Sequence, residues 1–155
     1  MPALAWTPSW RYREQVEKTS APYALDDQIG FVLRRVTQRH IGIFTGAIGA
    51  VTTTQFAALA KLAELGPLSQ NHLGRVTAMD AATIKGVVDR LRREGLVATA
   101  DDPDDRRRLT VALSTRGAEL FARLAPTAID ISAETLAPLT PAEREQLLAL
   151  LSRLT

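Results

Sequence analysis

The sequence predicts a mainly α-helical fold with one small two- or three-stranded β element, and three observations predict it. The strongest period in the chain is Ile84, Val87, Val88 and Leu91, spaced i, i+3, i+4, i+7, as on one face of an amphipathic helix. Directly after it come two short apolar runs, Leu96–Ala100 and Leu109–Leu113, on either side of a charged loop, the pattern of a hairpin. Apolar stripes also occupy both ends of the chain, with more leucine than one small core takes up, so the N- and C-terminal helices are expected to form a dimer interface.

Residues 1–24 are an extension holding both tryptophans, Trp6 and Trp10, with Tyr12 and mixed charge from Arg11 to Lys18. It is either an added amphipathic helix or a partly ordered arm. Its aromatics either cover an apolar patch of this or a sister subunit or, through Trp10, help to close a ligand pocket. Residues 25–50 are a dimerisation and support segment. Its helix opens at Asp26 or Asp27, runs to about Gly46, and carries the stripe Ile29, Val32, Leu33, Val36, His40, Ile43, Phe44, Ala47. Gly42, Gly46 and Gly49 loosen its end.

Residues 51–113 form a lobe of their own. Thr52 and Gln55 make a capping box. The helix Gln55–Leu65 buries Phe56, Leu59, Leu62 and Ala63 and stops at Gly66-Pro67. Ser69 caps a short helix, Gln70–Val76, and Thr77–Met79 turn the chain into the next one. There Asp80 is the N-cap and Gly95 the stop, so the central helix is Ala81–Glu94. Two strands and their loop, Asp101 to Arg108, complete the lobe. In residues 114–155, Ser114 or Thr115 starts a helix through Leu124 or beyond, with Pro126 a kink or break. Ile129, Ile131 and Leu136 continue the apolar pattern to Pro138. Thr140-Pro141-Ala142-Glu143 then starts a last helix with Leu147, Leu148, Leu150, Leu151 and Leu154.

Short helix, turn, helix, then two strands around a basic loop is the order of a winged helix-turn-helix, a reader of duplex DNA. The outward face of Ala81–Glu94 supports that use. Its first half is small (Ala81, Ala82, Thr83, Gly86) and its second half basic (Arg90, Arg93), with Lys85 on the flank. Small residues let a helix approach base edges and thymine methyls, and arginines beyond them reach phosphates. The alternative is a glycine- and alanine-rich face packed on another helix. Arg106, Arg107 and Arg108 on the loop suit phosphates or a narrow minor groove; the alternative is a solvated hairpin in which an aspartate orients an arginine. Charge alone decides nothing. Net charge is only +2, and residues 69–108 hold eight Lys/Arg (75, 85, 90, 92, 93, 106, 107, 108) against seven Asp/Glu (80, 89, 94, 101, 102, 104, 105). Affinity for DNA must come from the placement of charge.

The run Leu68-Ser69-Gln70, Met79-Asp80-Ala81-Ala82-Thr83, Val88-Asp89-Arg90-Leu91, Gly95-Leu96-Val97, Asp105-Arg106-Arg107, Leu113-Ser114-Thr115-Arg116-Gly117 resembles the MarR family of bacterial transcription regulators, and the likeness extends from about Leu25 to the C-terminus. The resemblance implies that Ala81–Glu94 is the recognition helix and that Ala82, Thr83, Gly86 and Arg90 lie on its groove-facing side. It implies that Arg107 enters the minor groove while Asp105 holds it. Ser69, Gln70, Lys85, Arg106 and Arg108 complete the expected DNA contacts. Ser114 stands where the family commonly has threonine and still caps the next helix. The expected partners are a double-stranded operator, a second copy of the chain, and a small aromatic or anionic effector that releases the DNA. Candidate effector residues are Trp10, Arg39, His40, Phe44 and His72. A lone histidine on an apolar stripe is otherwise a satisfied core or interface residue, though its charge changes near neutral pH; His72 is otherwise a solvated surface residue or faces the DNA backbone.

Two rivals stay open, a DNA-binding or architectural protein of the same fold with no effector, and an enzyme or protein-interaction module that uses the wing surface for a protein partner; catalysis is the least supported. The chain has no cysteine and two histidines, which excludes disulfides and thiol sensing and leaves no common zinc set. No glycine-rich phosphate loop, dinucleotide fingerprint or nucleophile elbow occurs, so no catalysis and no cofactor are expected. Nor is there an apolar run of about 18 residues, the length of a membrane span, or a secretion signal; a cytoplasmic protein is expected.

Overall fold

The computed structural model describes residues 23–101 and 109–155. The chain divides into two compact units, Met1–Arg35 and Val36–Thr155. In the first, a single 3-10 turn, Leu25–Asp27, precedes helix α1 (Ile29–Ala47). The helix therefore starts two or three residues later than Asp26 or Asp27. Gln28, the C-cap of the 3-10 turn, is extended (ψ 127) and interrupts the helical path. Asp26 instead meets Arg35 Nη1 at 3.4 Å.

The second unit holds the rest of α1, followed by α2 (Thr53–Leu65), β1 (Leu68–Ser69), α3 (Gln70–Val76), α4 (Ala81–Arg93), β2 (Val97–Asp101), β3 (Leu109–Leu113), α5 (Thr115–Thr135) and α6 (Pro141–Leu151). Side chains close to the helix starts explain them. Thr52, Ser69, Asp80, Ser114 and Thr140 each accept a bond from the third backbone N–H beyond them, an amide that the helix itself leaves unpaired. Because Thr52 is the N-cap, α2 begins at Thr53 and Gln55 is its third residue, not its first. Gly95, at φ +70, ends α4 in the left-handed region that a side chain disfavours. Ala78 occupies the same region, φ 53, in the turn between α3 and α4.

Among the described residues, three strands lie in the order β1-β3-β2, all antiparallel. Val97 faces Leu113 and Asp101 faces Leu109 across the hairpin, while Leu68 pairs with Val111. The third strand is thus two residues just before α3, and β2 runs one residue beyond the expected Ala100. Alternation along so short an edge is too brief to register in sequence.

One core holds this unit together. Leu59, Leu73, Ile84, Val88, Leu91 and Val111 are fully buried, with Phe44, Ile48, Leu62, Val87, Leu96 and Ile131 around them. All four residues of the central stripe are inside. On α2 the buried set is Gln55, Ala58, Leu59 and Leu62, so the inner face is turned from the expected one: Phe56 is half-buried and Ala63 is exposed. Gln55 tolerates burial because its amide oxygen accepts from Thr52 N–H at 2.8 Å and its Nε2 lies 3.4 Å from both carboxylate oxygens of Glu94. Pro126 does not break α5, which continues to Thr135. A proline removes one donor to the carbonyl four residues back; packing of Leu120, Phe121, Leu124, Ala128 and Ile131 on the core holds the helix across that gap.

Both ends keep apolar side chains in the open. On α1, Ile29, Val32, Leu33 and Val36 are exposed, as are Ile129 on α5 and Leu148, Leu150 and Leu154 in and beyond α6.

Candidate nucleic-acid interface

The helix-turn-helix is drawn tight where α3 meets α4. A Cβ on Gly74 would lie 3.1 Å from Ile84 Cγ2 and 3.2 Å from the Met79 carbonyl oxygen, so the two helices touch backbone to side chain there. Burial of Ile84, Val87, Val88 and Leu91 turns the opposite side of α4 outward. Ala81, Ala82, Thr83, Lys85 and Arg90 are exposed on it, and Gly86 is half-buried with open space where a Cβ would be. The small residues sit in the first turns and the arginines in the last, where cations also favour the negative end of the helix dipole.

Hydrogen bonds order this surface. Thr83 N–H donates to Asp80 Oδ1 at 2.8 Å and its hydroxyl to Oδ2 at 2.9 Å. These bonds, the backbone one foremost, hold the Asp80 carboxyl below its ordinary pKa. Lys85 Nζ donates to Asp89 Oδ2 at 2.9 Å and Arg92 Nη2 meets Oδ1 at 3.4 Å. The Lys85 bond does most to lower the Asp89 carboxyl. Asp89 therefore braces two cations on the flank of α4. Such exposed pairs orient side chains more than they stabilise the fold.

Ser69 caps α3 through a 3.3 Å bond from His72 N–H; Gln70 is the first residue of that helix, and His72 stands exposed on it. Asp105, Arg106, Arg107 and Arg108 lie outside the described residues, as does Trp10.

The C-terminal end of α4 is locked to the start of α5. Ser114 Oγ donates to the Gly95 carbonyl at 2.7 Å, Ser114 N–H to the Leu96 carbonyl at 3.1 Å, and Gly117 N–H to Ser114 Oγ at 3.0 Å. Gly117 has no room for a side chain: a Cβ would overlap the Leu96 carbonyl oxygen, with the carbonyl carbon 2.9 Å away. Sequence reasoning noted Ser114 as a cap and Gly117 as part of a motif but missed this contact. A glycine at the third position of a helix that an alanine would favour is the signal that was available.

The expected effector residues fall in two places. Arg39, His40 and Phe44 are together on α1, with His72 on α3. Phe44 is buried, and its ring packs edge-on to Phe56 at 5.8 Å, which in turn meets Phe121 at 5.6 Å. His40 lies at the open end of this run, 6.5 Å from Phe44 between ring centroids. Arg39 Nη2 donates to the Glu134 carbonyl at 3.2 Å, and His40 Nδ1 is 3.0 Å from Thr135 Oγ1. Glu134 and Thr135 were not singled out in the sequence, where 95 residues separate each pair.

Comparison with known proteins agrees with this architecture. A model of the MarR family matches residues 51–108. The chain is 39% identical over 137 residues to the HTH-type transcriptional repressor NicR of Pseudomonas putida, covering 87% of both chains. Among solved structures it is similar to a probable transcriptional regulator from Pseudomonas aeruginosa (53% identity, TM-score 0.80, covering 85% of this chain and 100% of that one). It is similar also to Bordetella bronchiseptica BpsR, a protein whose DNA binding is regulated by 6-hydroxynicotinic acid (38% identity, TM-score 0.82, covering 86% and 97%). Among the described residues no helix is long and apolar enough to cross a membrane.

Proposed function

The chain belongs to the MarR family of transcriptional regulators, and from that premise we propose a homodimeric repressor that leaves a pseudo-palindromic operator when a small aromatic acid binds. The observation that carries this reading is the outward face of α4, small in its first turns and basic in its last, on a helix whose four apolar residues are inside. Two such helices enter successive major grooves. Ala82, Thr83 and Gly86 meet base edges; Ser69, Gln70, Lys85 and Arg90 meet the backbone. Arg107, oriented by Asp105, enters the minor groove, and Arg106 and Arg108 bind phosphate. The exposed apolar residues of α1, α5 and α6 support dimerisation through residues 25–50 and 114–155, with 51–113 as the DNA lobe and 1–24 as an extension.

The effector site takes Arg39, His40 and Phe44, with Trp10 and His72 as further candidates. Likeness to a repressor and to a regulator governed by 6-hydroxynicotinic acid supports an anionic aromatic effector. A ligand that prefers a lobe spacing unlike that of the operator lowers DNA affinity by linkage. The protein acts in the cytoplasm and catalyses nothing.

The test is a gel shift on the DNA upstream of the protein's own coding region, with and without 6-hydroxynicotinic acid. Retardation reversed by an aromatic acid supports the proposal. No retardation at moderate salt defeats the DNA reading. Retardation that no aromatic acid reverses leaves a DNA-binding protein of the same fold without this effector.

A further inference from the structure

Two hydrogen bonds at the end of α5 constrain which nitrogen of His40 carries the proton. His40 Nδ1 is 3.0 Å from Thr135 Oγ1, and Thr135 Oγ1 is 2.8 Å from the Ile131 carbonyl oxygen. A hydroxyl has one proton to give. If Thr135 gave it to His40, its oxygen would face the Ile131 oxygen at 2.8 Å with no proton between two acceptors. One arrangement of the neutral ring satisfies both contacts: Nδ1–H donates to Oγ1, and Oγ1–H donates to the carbonyl. Nε2 then bears the lone pair. The bond made at one ring nitrogen sets the role of the other.

We propose that Thr135 is a positioning residue that makes His40 a hydrogen-bond acceptor at Nε2, so that the effector must bring a donor. The inference rests on the reading of Arg39, His40 and Phe44 as the effector site. Among the described residues Arg39 uses one N–H, on the Glu134 carbonyl, which leaves the rest of its five-donor fork for a carboxylate. The edge of the Phe44–Phe56–Phe121 run supplies an aromatic neighbour. The ligand class that satisfies all three is an aromatic carboxylic acid with a ring hydroxyl or ring N–H. An O-alkylated analogue sets an ether oxygen against the Nε2 lone pair and leaves a part-buried acceptor unpaired.

The test has two arms on the full-length protein. The first is long-range proton–nitrogen NMR of histidine-labelled protein, above the pH at which imidazole is protonated. With two histidines in the chain, His72→Ala assigns His40 directly. Wild type and Thr135→Ser show Nδ1–H, whereas Thr135→Val, which has no acceptor, shifts to the Nε2–H form. The second is calorimetric titration with 6-hydroxynicotinic and 6-methoxynicotinic acids. Wild type and Thr135→Ser prefer the hydroxy acid by about tenfold or more, and Thr135→Val narrows the preference to about threefold or less. An Nε2–H spectrum in the wild type, with binding that still discriminates, overturns the role of Thr135 alone. An Nδ1–H spectrum with no binding of either acid overturns the effector reading and the donor requirement with it. A Thr135→Val protein with unchanged tautomer and unchanged preference overturns the proposal outright.

Discussion

Gly117→Ala isolates the lock between α4 and α5. In most helices that change stabilises, by about 0.5–1 kcal/mol, because glycine loses more backbone freedom on folding. Here the added Cβ overlaps the Leu96 carbonyl oxygen and comes within 2.9 Å of the carbonyl carbon and 3.3 Å of Cα. Backbone must move, and Leu96 and Val97 are themselves buried. Overpacking of this kind costs about 1–3 kcal/mol. Moving the Leu96 carbonyl also strains its bond from Ser114 N–H, about 1 kcal/mol, and disturbs the Ser114 cap, about 1 kcal/mol. Set against the propensity gain, the net loss is about 2–4 kcal/mol. For a chain of this length each kcal/mol is about 2–4 °C, so Tm falls by roughly 5–15 °C. The assay is thermal unfolding by circular dichroism at one fixed protein concentration, since subunit association shifts Tm. The control is Gly86→Ala, where a Cβ meets open space, and Tm rises by a few degrees at most. A Gly117→Ala protein as stable as wild type would refute the close approach of α5 to Leu96 and the reasoning built on it.

Other perturbations separate surface from core. Gly86→Leu leaves Tm near that of wild type but lowers operator affinity at least about tenfold in a gel shift, because a large side chain meets the groove floor; undiminished binding removes α4 from the groove. Arg107→Ala weakens operator binding and lowers the slope of log affinity on log salt by about 1; an unchanged slope excludes a phosphate or groove contact at that residue. Acidification tests the caps. Asp80, Asp89 and Glu143 all have pKa values lowered in the fold, chiefly by Thr83 N–H, Lys85 and Thr140 N–H respectively. The stability they lend is therefore complete above their ordinary values of 3.8, 3.8 and 4.5 and drains away as pH falls below them. Asp80→Asn keeps a cap acceptor without the titration, so its Tm at neutral pH stays close to wild type and falls less steeply in acid; an equally steep fall disproves the Asp80 contribution. Leu148→Asp places a charge on the exposed apolar face of α6 and yields monomers in analytical ultracentrifugation, and a persistent dimer moves the interface elsewhere.

Chemistry that acts across a few residues was legible without coordinates. The caps Thr52, Ser69, Asp80 and Thr140, the stop at Gly95 and the inward stripe of α4 all follow from neighbours within one or two helical turns, where the chain brings groups together whatever the tertiary fold. The order of helices and strands in the lobe, and the small-then-basic outer face, follow from the same local rules. Tertiary structure decided what depends on distant partners. Two residues before α3 become a strand only because Val111 is there to pair with Leu68. Proline stays inside α5 because the core holds both sides of it. The inner face of α2 turns toward Gln55 because that side chain finds Glu94, 39 residues away. His40 meets Thr135 across 95 residues, and α4 is fixed to α5 through Ser114 and Gly117. No period or cap records a contact made by loop closure over tens of residues, since either residue alone suits many surroundings and only the packed chain brings the two together.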